Sequence, residues 1–442
     1  MVVSTIGAVF LGVLVAGQAL GENASVLLRI DPVNPHYFQD SSGKRIVLIG
    51  DYTWGTFSDT NYDFTTMFDT LRAYGLNFSR VWLFWGYETD SGDRIDMMPY
   101  LRTGPGNAND GRPRYDLTQF DPHFFERLRA MCVAARQRDI HLQLVLFDAW
   151  MLKHPHLWKL HAFHRENNVN GVDGDPRNTG LGTDGQRGFC SLGNPKVLEA
   201  QQAFIRRVVD AANEFDDILF EIANENFYSK EWELRLCDFV HDHESTKSRQ
   251  HVVMPKDLLN HSSVVQTWDA GAVHAAMLQK HSLRRPLIFD TDWTITQNDD
   301  EVRKAMWAAL LSGGHFNYMD DSLQIGSEHK GDFQGSRRAS LRRQIGCLAA
   351  FVGQTRLCEM EPNDAIIKEG IAFVMASSNG LAAYLPSGGT ITLDLSRLAG
   401  TLEARWLDPL AGTWGEKFAV RGGGPEKFTA PNANDWAMEL RE

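Results

Sequence analysis

Asp217-Ile218-Leu219-Phe220-Glu221-Ile222-Ala223-Asn224-Glu225-Asn226 is the stretch on which the reading of this chain turns. Its apolar run is too short for a typical helix, is bounded by polar residues, and ends in an Asn-Glu pair. A buried parallel strand delivers a carboxylate to the rim of a barrel in this way. Glu225 is therefore the first candidate for a catalytic acid. A strand end that merely carries polar residues would look the same in isolation, so the reading depends on the rest of the chain.

Strands and helices alternate on both sides of that stretch. Strands are expected over 46–52, 77–84, 141–147, 217–223, 250–255, 264–267, 286–292 and 315–320, and helices over 65–74, 122–138, 195–215, 231–241, 272–281, 299–312 and 337–354. Asp121 and Asn194 stand where helix N-caps belong, and Gly75 and Gly313-Gly314 stand where helices stop. Largely apolar strands alternating with helices predict an all-parallel α/β architecture. The length and the polar strand ends favour a closed (β/α)8 TIM barrel over an open sheet. From about Asp364 the texture changes to short strands, at 370–377, 380–386, 390–395, 403–408, 417–420, 426–429 and 435–440, separated by Gly, Pro, Asn and Ser turns. That pattern predicts a small C-terminal antiparallel β-sandwich. The expected organisation is a signal segment over 1–21, a barrel over 22–360 and the sandwich over 361–442.

Composition narrows the function. At 442 residues the chain exceeds one ordinary domain, and its formal net charge of -12 argues against nucleic acid, which needs a basic footprint. Twelve tryptophans suit a carbohydrate partner, because indole faces stack on the apolar faces of sugar rings, although large core residues account for many of them. The apolar run from Ile6 to Ala16, followed by Gly17, Ala19 and Gly21, resembles a secretory signal peptide without the usual preceding Lys or Arg, which predicts a secreted or periplasmic protein. That run is short for a membrane span and no other stretch approaches the length, so no membrane association is expected after cleavage. Five cysteines show no CxxC or Cys/His spacing, and His154, His156, His161 and His164 lack the carboxylate spacing of a metal site; no metal or cofactor is expected. Nothing in the sequence sets the oligomeric state.

Side chains alternate along a strand, so Asp290 and Asp292 share one face while Leu287 and Phe289 share the other. If the apolar pair packs on the helices, both acids point into the barrel, with Asp292 nearer the rim. The same logic puts Glu221 and Glu225 together, with Glu225 outermost. Two carboxylates facing each other from strands four and seven are what glycoside hydrolysis requires: one protonates the leaving oxygen and the other acts as nucleophile or base. Glu225 and Asp292 are the catalytic candidates, and Glu221 and Asp290 read more naturally as a buried network. Candidate substrate contacts are Asp51 and Trp54 after strand one, Arg80 on strand two with Trp85 beyond it, and Asp148 and Trp150 after strand three. Asn224 beside the acid, Asp290 on strand seven, and Tyr318 and Asp320 on strand eight complete the set. Long insertions at 86–119 and 149–193 should lie on the catalytic face, with Trp85, Tyr87, Trp150 and Trp158 as possible walls.

With Asn224-Glu225 after strand four and Arg80 on strand two, the chain resembles a clan-A-type glycoside hydrolase. Asn34-Pro35-His36-Tyr37-Phe38-Gln39-Asp40-Ser41-Ser42-Gly43-Lys44, then Leu48-Ile49-Gly50-Asp51-Tyr52-Thr53-Trp54, and later Trp307-Ala308-Ala309-Leu310-Leu311-Ser312-Gly313-Gly314-His315-Phe316, are similar to the apiosidase-like catalytic domain family. Tyr384-Leu385-Pro386-Ser387-Gly388-Gly389, Ala404-Arg405-Trp406-Leu407-Asp408-Pro409 and Asp435-Trp436 resemble the collagen-binding-type β-sandwich that commonly follows such barrels. The resemblance implies a glycosidase that uses Glu225 as acid/base, with Arg80 supporting the nucleophile. The clan places Glu on strand seven, whereas this chain has Asp290-Thr291-Asp292-Trp293, which leaves both aspartates open as the nucleophile. Retention of configuration is the expected outcome. Two other readings remain: a non-catalytic carbohydrate- or matrix-binding protein on a degenerate barrel, and a metal-dependent hydrolase using Asp290, Asp292, Asp320 and Asp321, for which carboxylates without histidines are a weak signal.

Overall fold

The computed structural model describes residues 27–53, 55–83, 97–254, 259–260, 269–291, 298–319 and 339–442. The expected signal segment lies outside the described residues. Eight parallel strands form one sheet: β1 Ile49–Tyr52, β2 Phe78–Trp82, β3 His141–Asp148, β4 Ile218–Asn224, β5 Val252–Met254, β6 Leu259–Asn260, β7 Leu287–Thr291 and β8 His315–Met319. Their order, β5-β4-β3-β2-β1-β8-β7-β6, is the sequential winding of a (β/α)8 barrel. Among the described residues no pairing links β5 to β6. Among the described residues seven helices of ten residues or more cover the outside: α1 Phe64–Ala73, α2 Pro122–Arg136, α3 Pro195–Ala212, α4 Lys230–Glu244, α5 Ala270–His281, α6 Asp299–Leu310 and α7 Ala339–Thr355. All seven lie close to their expected spans. Asp121 accepts from the His123 amide and Asn194 from the Val197 amide, the N-caps read from sequence.

Strand six differs from expectation. It is Leu259–Asn260, in register with Leu287 and Ile288 of β7, whereas the expected span 264–267 lies outside the described residues. Pairing with β7 is a tertiary constraint that local propensity does not carry.

The barrel interior is layered by strand alternation. Leu48, Phe78, Leu219, Val252 and Ile288 form an apolar floor, closed by Leu28 and Phe38 from a small antiparallel sheet of Arg29–Ile30, Phe38–Gln39 and Arg45–Ile46. Two residues further along their strands, Arg80, Glu221 and Asp290 replace Phe78, Leu219 and Ile288, so a polar layer rests on that floor. Gly50 is required here by close approach, since a Cβ would meet the Phe78 carbonyl oxygen at 2.1 Å and Asn317 Oδ1 at 2.7 Å.

The C-terminal region is a two-sheet antiparallel β-sandwich. One sheet comprises β9 Glu361–Pro362, β11 Phe373–Ala376, β12 Gly380–Leu385, β14 Thr401–Asp408, β15 Thr413–Trp414, β16 Phe418–Arg421 and β18 Trp436–Arg441; the other comprises β10 Ile367–Glu369, β13 Thr390–Asp394 and β17 Pro425–Thr429. Val374, Leu381, Ala383, Leu385 and Leu440 fill the space between the sheets with Ile391, Leu393 and Phe428. The alternate residues Phe373, Met375, Ala382, Tyr384 and Ala437 belong to the barrel's core instead. β11, β12 and β18 of the larger sheet are thus buried on both faces. At the seam Trp307 of α6 stacks on Tyr384, with centroids 5.1 Å apart and planes at 8°. Arg303 of α6 donates to both oxygens of Asp435, at 2.9 and 2.7 Å, and the Tyr384 hydroxyl donates to the same carboxylate at 2.8 Å.

Removing one partner of a buried ion pair leaves the other charge unpaired, at roughly 3–5 kcal/mol. Asp435→Ala leaves Arg303 with Gln344 and the more exposed Asp300, both on Nη1, as its remaining partners, so it should lower the unfolding free energy by up to about 3 kcal/mol, while Arg303→Met/Asp435→Leu recovers much of the loss. Urea unfolding of the three proteins checks this, and a single mutant within about 1 kcal/mol of wild type would show the seam to be unimportant.

Candidate active site

The polar layer is organised by Arg80. Its Nε and Nη2 donate to Glu221 Oε2 and Oε1 at 2.8 and 2.6 Å, a fork-on-fork pair between β2 and β4. Glu221 Oε2 also accepts from Gln143 Nε2 of β3 at 2.5 Å. Nη2 reaches Asn224 Oδ1 at 3.0 Å, and Nη1 lies 3.4 Å from the Tyr52 hydroxyl and 3.8 Å from Asp290 Oδ2. Tyr52 donates to Asp290 Oδ1 at 2.7 Å, and Asn317 Nδ2 lies 3.3 Å from Oδ2. Burial pushes the Asp290 carboxyl up to about 6, against the pull of Arg80 and Tyr52.

Above this layer Asn224 is held at both ends. Its Nδ2 donates to Asp148 Oδ1 at 2.7 Å while its Oδ1 accepts from Arg80. The guanidinium sets that amide orientation, because it only donates and so takes the amide oxygen, leaving Nδ2 for Asp148. Asp148 also accepts the amides of Trp150 and Met151, at 3.3 and 3.1 Å, starting the 3-10 turn Trp150–Lys153.

Glu225 follows with φ 47°, left-handed backbone that a non-glycine residue adopts at a cost of order 1–3 kcal/mol. It is partly exposed, and its Oε2 lies 3.4 Å from Lys153 Nζ. The Lys153 ammonium lies 5.6 Å from the centre of the Trp150 ring. Asn226 then fastens the turn, accepting the amides of Tyr228 and Ser229 at 3.1 and 3.4 Å and donating to Ser229 O at 2.9 Å and Glu233 Oε2 at 3.2 Å. Burial pushes Glu233 up to about 7.

Arg80, Asp148, Asn224, Glu225 and Asp290 are thus joined in one connected group, with Trp150 at its edge. Glu221 and Asp290 point into the barrel and are buried, and Leu287 and Phe289 pack with the helical layer, as alternation required. Two expected contacts are corrected. Asp51 and Tyr318 are paired in register on β1 and β8, and both are fully buried on the helix side. Asp51 accepts from Arg342 Nε of α7 at 2.5 Å, and Tyr318 joins the barrel-helix core. Gly50, Tyr52 and Asn317 take the inward positions, so strand parity turns Asp51 and Tyr318 away from the rim. Trp158 is also no wall: it is 1% exposed inside the third loop, stacked on His161. Trp54, Trp85, Tyr87, Asp292, Asp320 and Asp321 lie outside the described residues. Among the described residues no group of three His, Cys, Asp or Glu could hold a metal ion.

Tyr52, Gln143, Lys153, Glu233 and Asn317 were not singled out in the sequence. Tyr52 shares its parity with Gly50, but the strand's pattern does not say which parity faces the axis, and Gln143 was available as the polar residue inside the otherwise apolar run 142–147. Lys153 carried no signal, since its position depends on how Asp148 starts the following turn.

Residues 368–441 match the family described as "Putative collagen-binding domain of a collagenase". Among solved structures, one described as "Glycoside hydrolase" is similar with a TM-score of 0.65 at 11% identity, covering 95% of this chain and 97% of its own. A glycoside hydrolase family 5 protein from Bacteroides vulgatus ATCC 8482 gives a TM-score of 0.64 at 13% identity, covering 95% of this chain and 94% of its own. These likenesses establish the fold, a TIM barrel followed by a C-terminal β domain. Comparison with curated proteins yields no match.

Asp148 ties the site to pH. Burial pushes its carboxyl up to about 7, against donation from Asn224, and the nearby Glu225 charge adds to the rise. An unfolded aspartate titrates near 3.9, so between about pH 4 and 7 the folded chain keeps a proton that the unfolded chain has lost. The resulting stability is complete below about pH 4 and disappears as pH rises through about 7. Asp148→Asn should flatten the fall of Tm over that window. The slope is reduced and not abolished, because Asp290 and Asp217, both near 6, and Glu233 act in the same direction. The amide cannot accept on both sides, so the variant should also be less stable throughout. Melting curves from pH 4 to 8 test this; a wild-type slope would remove Asp148 from the titration.

Proposed function

We propose that the chain is a glycoside hydrolase that cleaves O-glycosidic bonds of an oligosaccharide or polysaccharide, with Glu225 as acid/base. The observation that carries the reading is the clamp on the residue before the acid. Asn224 is locked between Arg80 and Asp148, and Glu225 leaves the strand in left-handed backbone at the barrel's C-terminal rim. Catalytic groups of TIM barrels occupy that rim, and local strain concentrates at functional sites. Likeness in fold to glycoside hydrolases supports the same reading. After its two fixed bonds Asn224 retains one N–H, directed from beside the acid, that can donate to a sugar hydroxyl.

Asp292 is proposed as the nucleophile, two residues beyond Asp290 on the strand-seven segment. Asp290 is engaged by Tyr52 and Asn317 and is 4% exposed, which suits it to fixing the layer beneath and not to attacking a sugar. An Asp carboxyl lies one methylene, about 1.5 Å, behind that of Glu. Retaining enzymes hold their carboxyls about 5–5.5 Å apart and inverting ones about 6.5–9.5 Å. The reading keeps retention, membership of the apiosidase-like group and a secreted or periplasmic location as parts of the proposal.

Glu225→Gln should keep the fold and lose roughly 10²- to 10⁴-fold on substrates with poor leaving groups, while an activated aryl glycoside is spared at its first step. Wild-type rates on poor leaving groups would remove Glu225 from the acid role. Stereochemistry tests the second carboxylate: proton NMR of the first-formed sugar should show the retained anomer, and Asp292→Asn should abolish turnover. An inverted product, or an active Asp292→Asn, would overturn the nucleophile assignment.

A further inference from the structure

Phe227, two residues after the acid, is 64% exposed. Its turn is nevertheless tightly built. Asn226 binds two amides, one carbonyl and Glu233, and the third loop presses on it so closely that a Cβ on Gly185 would lie 2.4 Å from the Tyr228 carbonyl oxygen. A large aromatic side chain is therefore held out into water on a fixed support, at the mouth of the site. Aromatic faces present low-entropy apolar surface suited to stacking on ring-shaped ligands. The acid of a glycosidase protonates the leaving oxygen, so the leaving group sits against Glu225, and the turn that carries Glu225 is the part of the chain that leads away from it. Lys153, 3.4 Å from Glu225, and Trp150 belong to the separate turn started by Asp148.

We propose that Phe227 is the stacking platform of a leaving-group subsite, and that the substrate's leaving group is itself a ring, a sugar residue of a longer glycan, and not a small alcohol. This rests on the hydrolase reading above. Substrates that extend beyond the cleaved bond would then gain binding from Phe227, and ringless leaving groups would not.

The probes are the 4-nitrophenyl and methyl glycosides of whichever sugar wild type turns over in an aryl glycoside panel. Phe227→Ala should lower kcat/KM for the 4-nitrophenyl glycoside about tenfold more than for the methyl glycoside, mainly through KM, and Phe227→Trp should restore the ratio. A substitution that merely displaced Glu225 would instead affect the methyl glycoside more, because methoxide leaves only with a proton. Equal losses, a larger loss on the methyl glycoside, or no restoration by Trp would overturn the assignment while leaving the hydrolase reading standing. A wild type inert on every glycoside of the panel would overturn the hydrolase reading and this assignment with it.

Discussion

The fork between Arg80 and Glu221 is the contact on which the upper half of the barrel depends. Both side chains are almost completely buried, at 5% and 1% exposure, and neither charge could stay there alone. Once the guanidinium is fixed by Glu221, its remaining N–H groups point at Asn224, Tyr52 and Asp290, so one cation ties together β1, β2, β4 and β7. The layer holds more acid than base: Glu221, Asp290 and, beyond Asn224, Asp148 share a single guanidinium. Burial is the first reason Asp290 and Asp148 are pushed up to about 6 and about 7, with the Glu221 charge adding to the rise at Asp290 and the Glu225 charge at Asp148.

The fork also explains how a strand can present an acid so exactly placed yet so lightly held. Glu221 and Asn224 lie three residues apart, and strict alternation would put them on opposite faces, yet both touch Arg80. The strand runs on through Asn224, so the long guanidinium spans the offset, and the left-handed conformation follows at Glu225 where the strand ends. Asp148 braces the Asn224 amide from β3 and also begins the turn that carries Lys153 back to Glu225. Strand four, strand three and the third loop are therefore coupled through one amide side chain, and a change in any of them is felt at the acid.

Much of this was legible in the sequence, and the parts that were not share one cause. The alternation of Leu287, Phe289 and Asp290 gave the correct inward face of β7 because one face of that strand is plainly apolar. Asp51 and Tyr318 failed the same test because β1 and β8 are buried on both sides, and neither Ile49-Gly50-Asp51-Tyr52 nor His315-Phe316-Asn317-Tyr318-Met319 says from its pattern which parity faces the barrel axis. Only the partners decide it: Arg342 on the helix side claims Asp51, and Asp290 on the axis claims Tyr52 and Asn317. The sandwich strands were read well because β12, β13 and β17 are bounded by Gly, Pro or Asn turns. The burial of the larger sheet on the barrel was not readable, since it takes Trp307 and Arg303, far away in sequence, to give Tyr384 and Asp435 their partners.

That seam bears on what the C-terminal domain can do. A β-sandwich that binds a ligand through a broad sheet needs that sheet in solvent, and here the larger sheet gives its inner face to the sandwich core and the outer face of β11, β12 and β18 to the barrel, leaving Thr401, Glu403 and Phe418 of β14 and β16 exposed. Arg303 and His274, on α6 and α5, reach Asp435 and Asp364 across the seam, with His274 Nε2 2.6 Å from Asp364 Oδ2. The outer side of β10, β13 and β17 carries Lys368, Thr390, Lys427 and Thr429 in exposed positions and no large aromatic side chain. A short polar face of this kind lacks the apolar anchors that dominate protein recognition. The sandwich's largest physical contribution is therefore internal: it completes the core around α6 and, through that helix, steadies the strands on either side of it, β7 and β8, which present Asp290 and Asn317 to Arg80's layer.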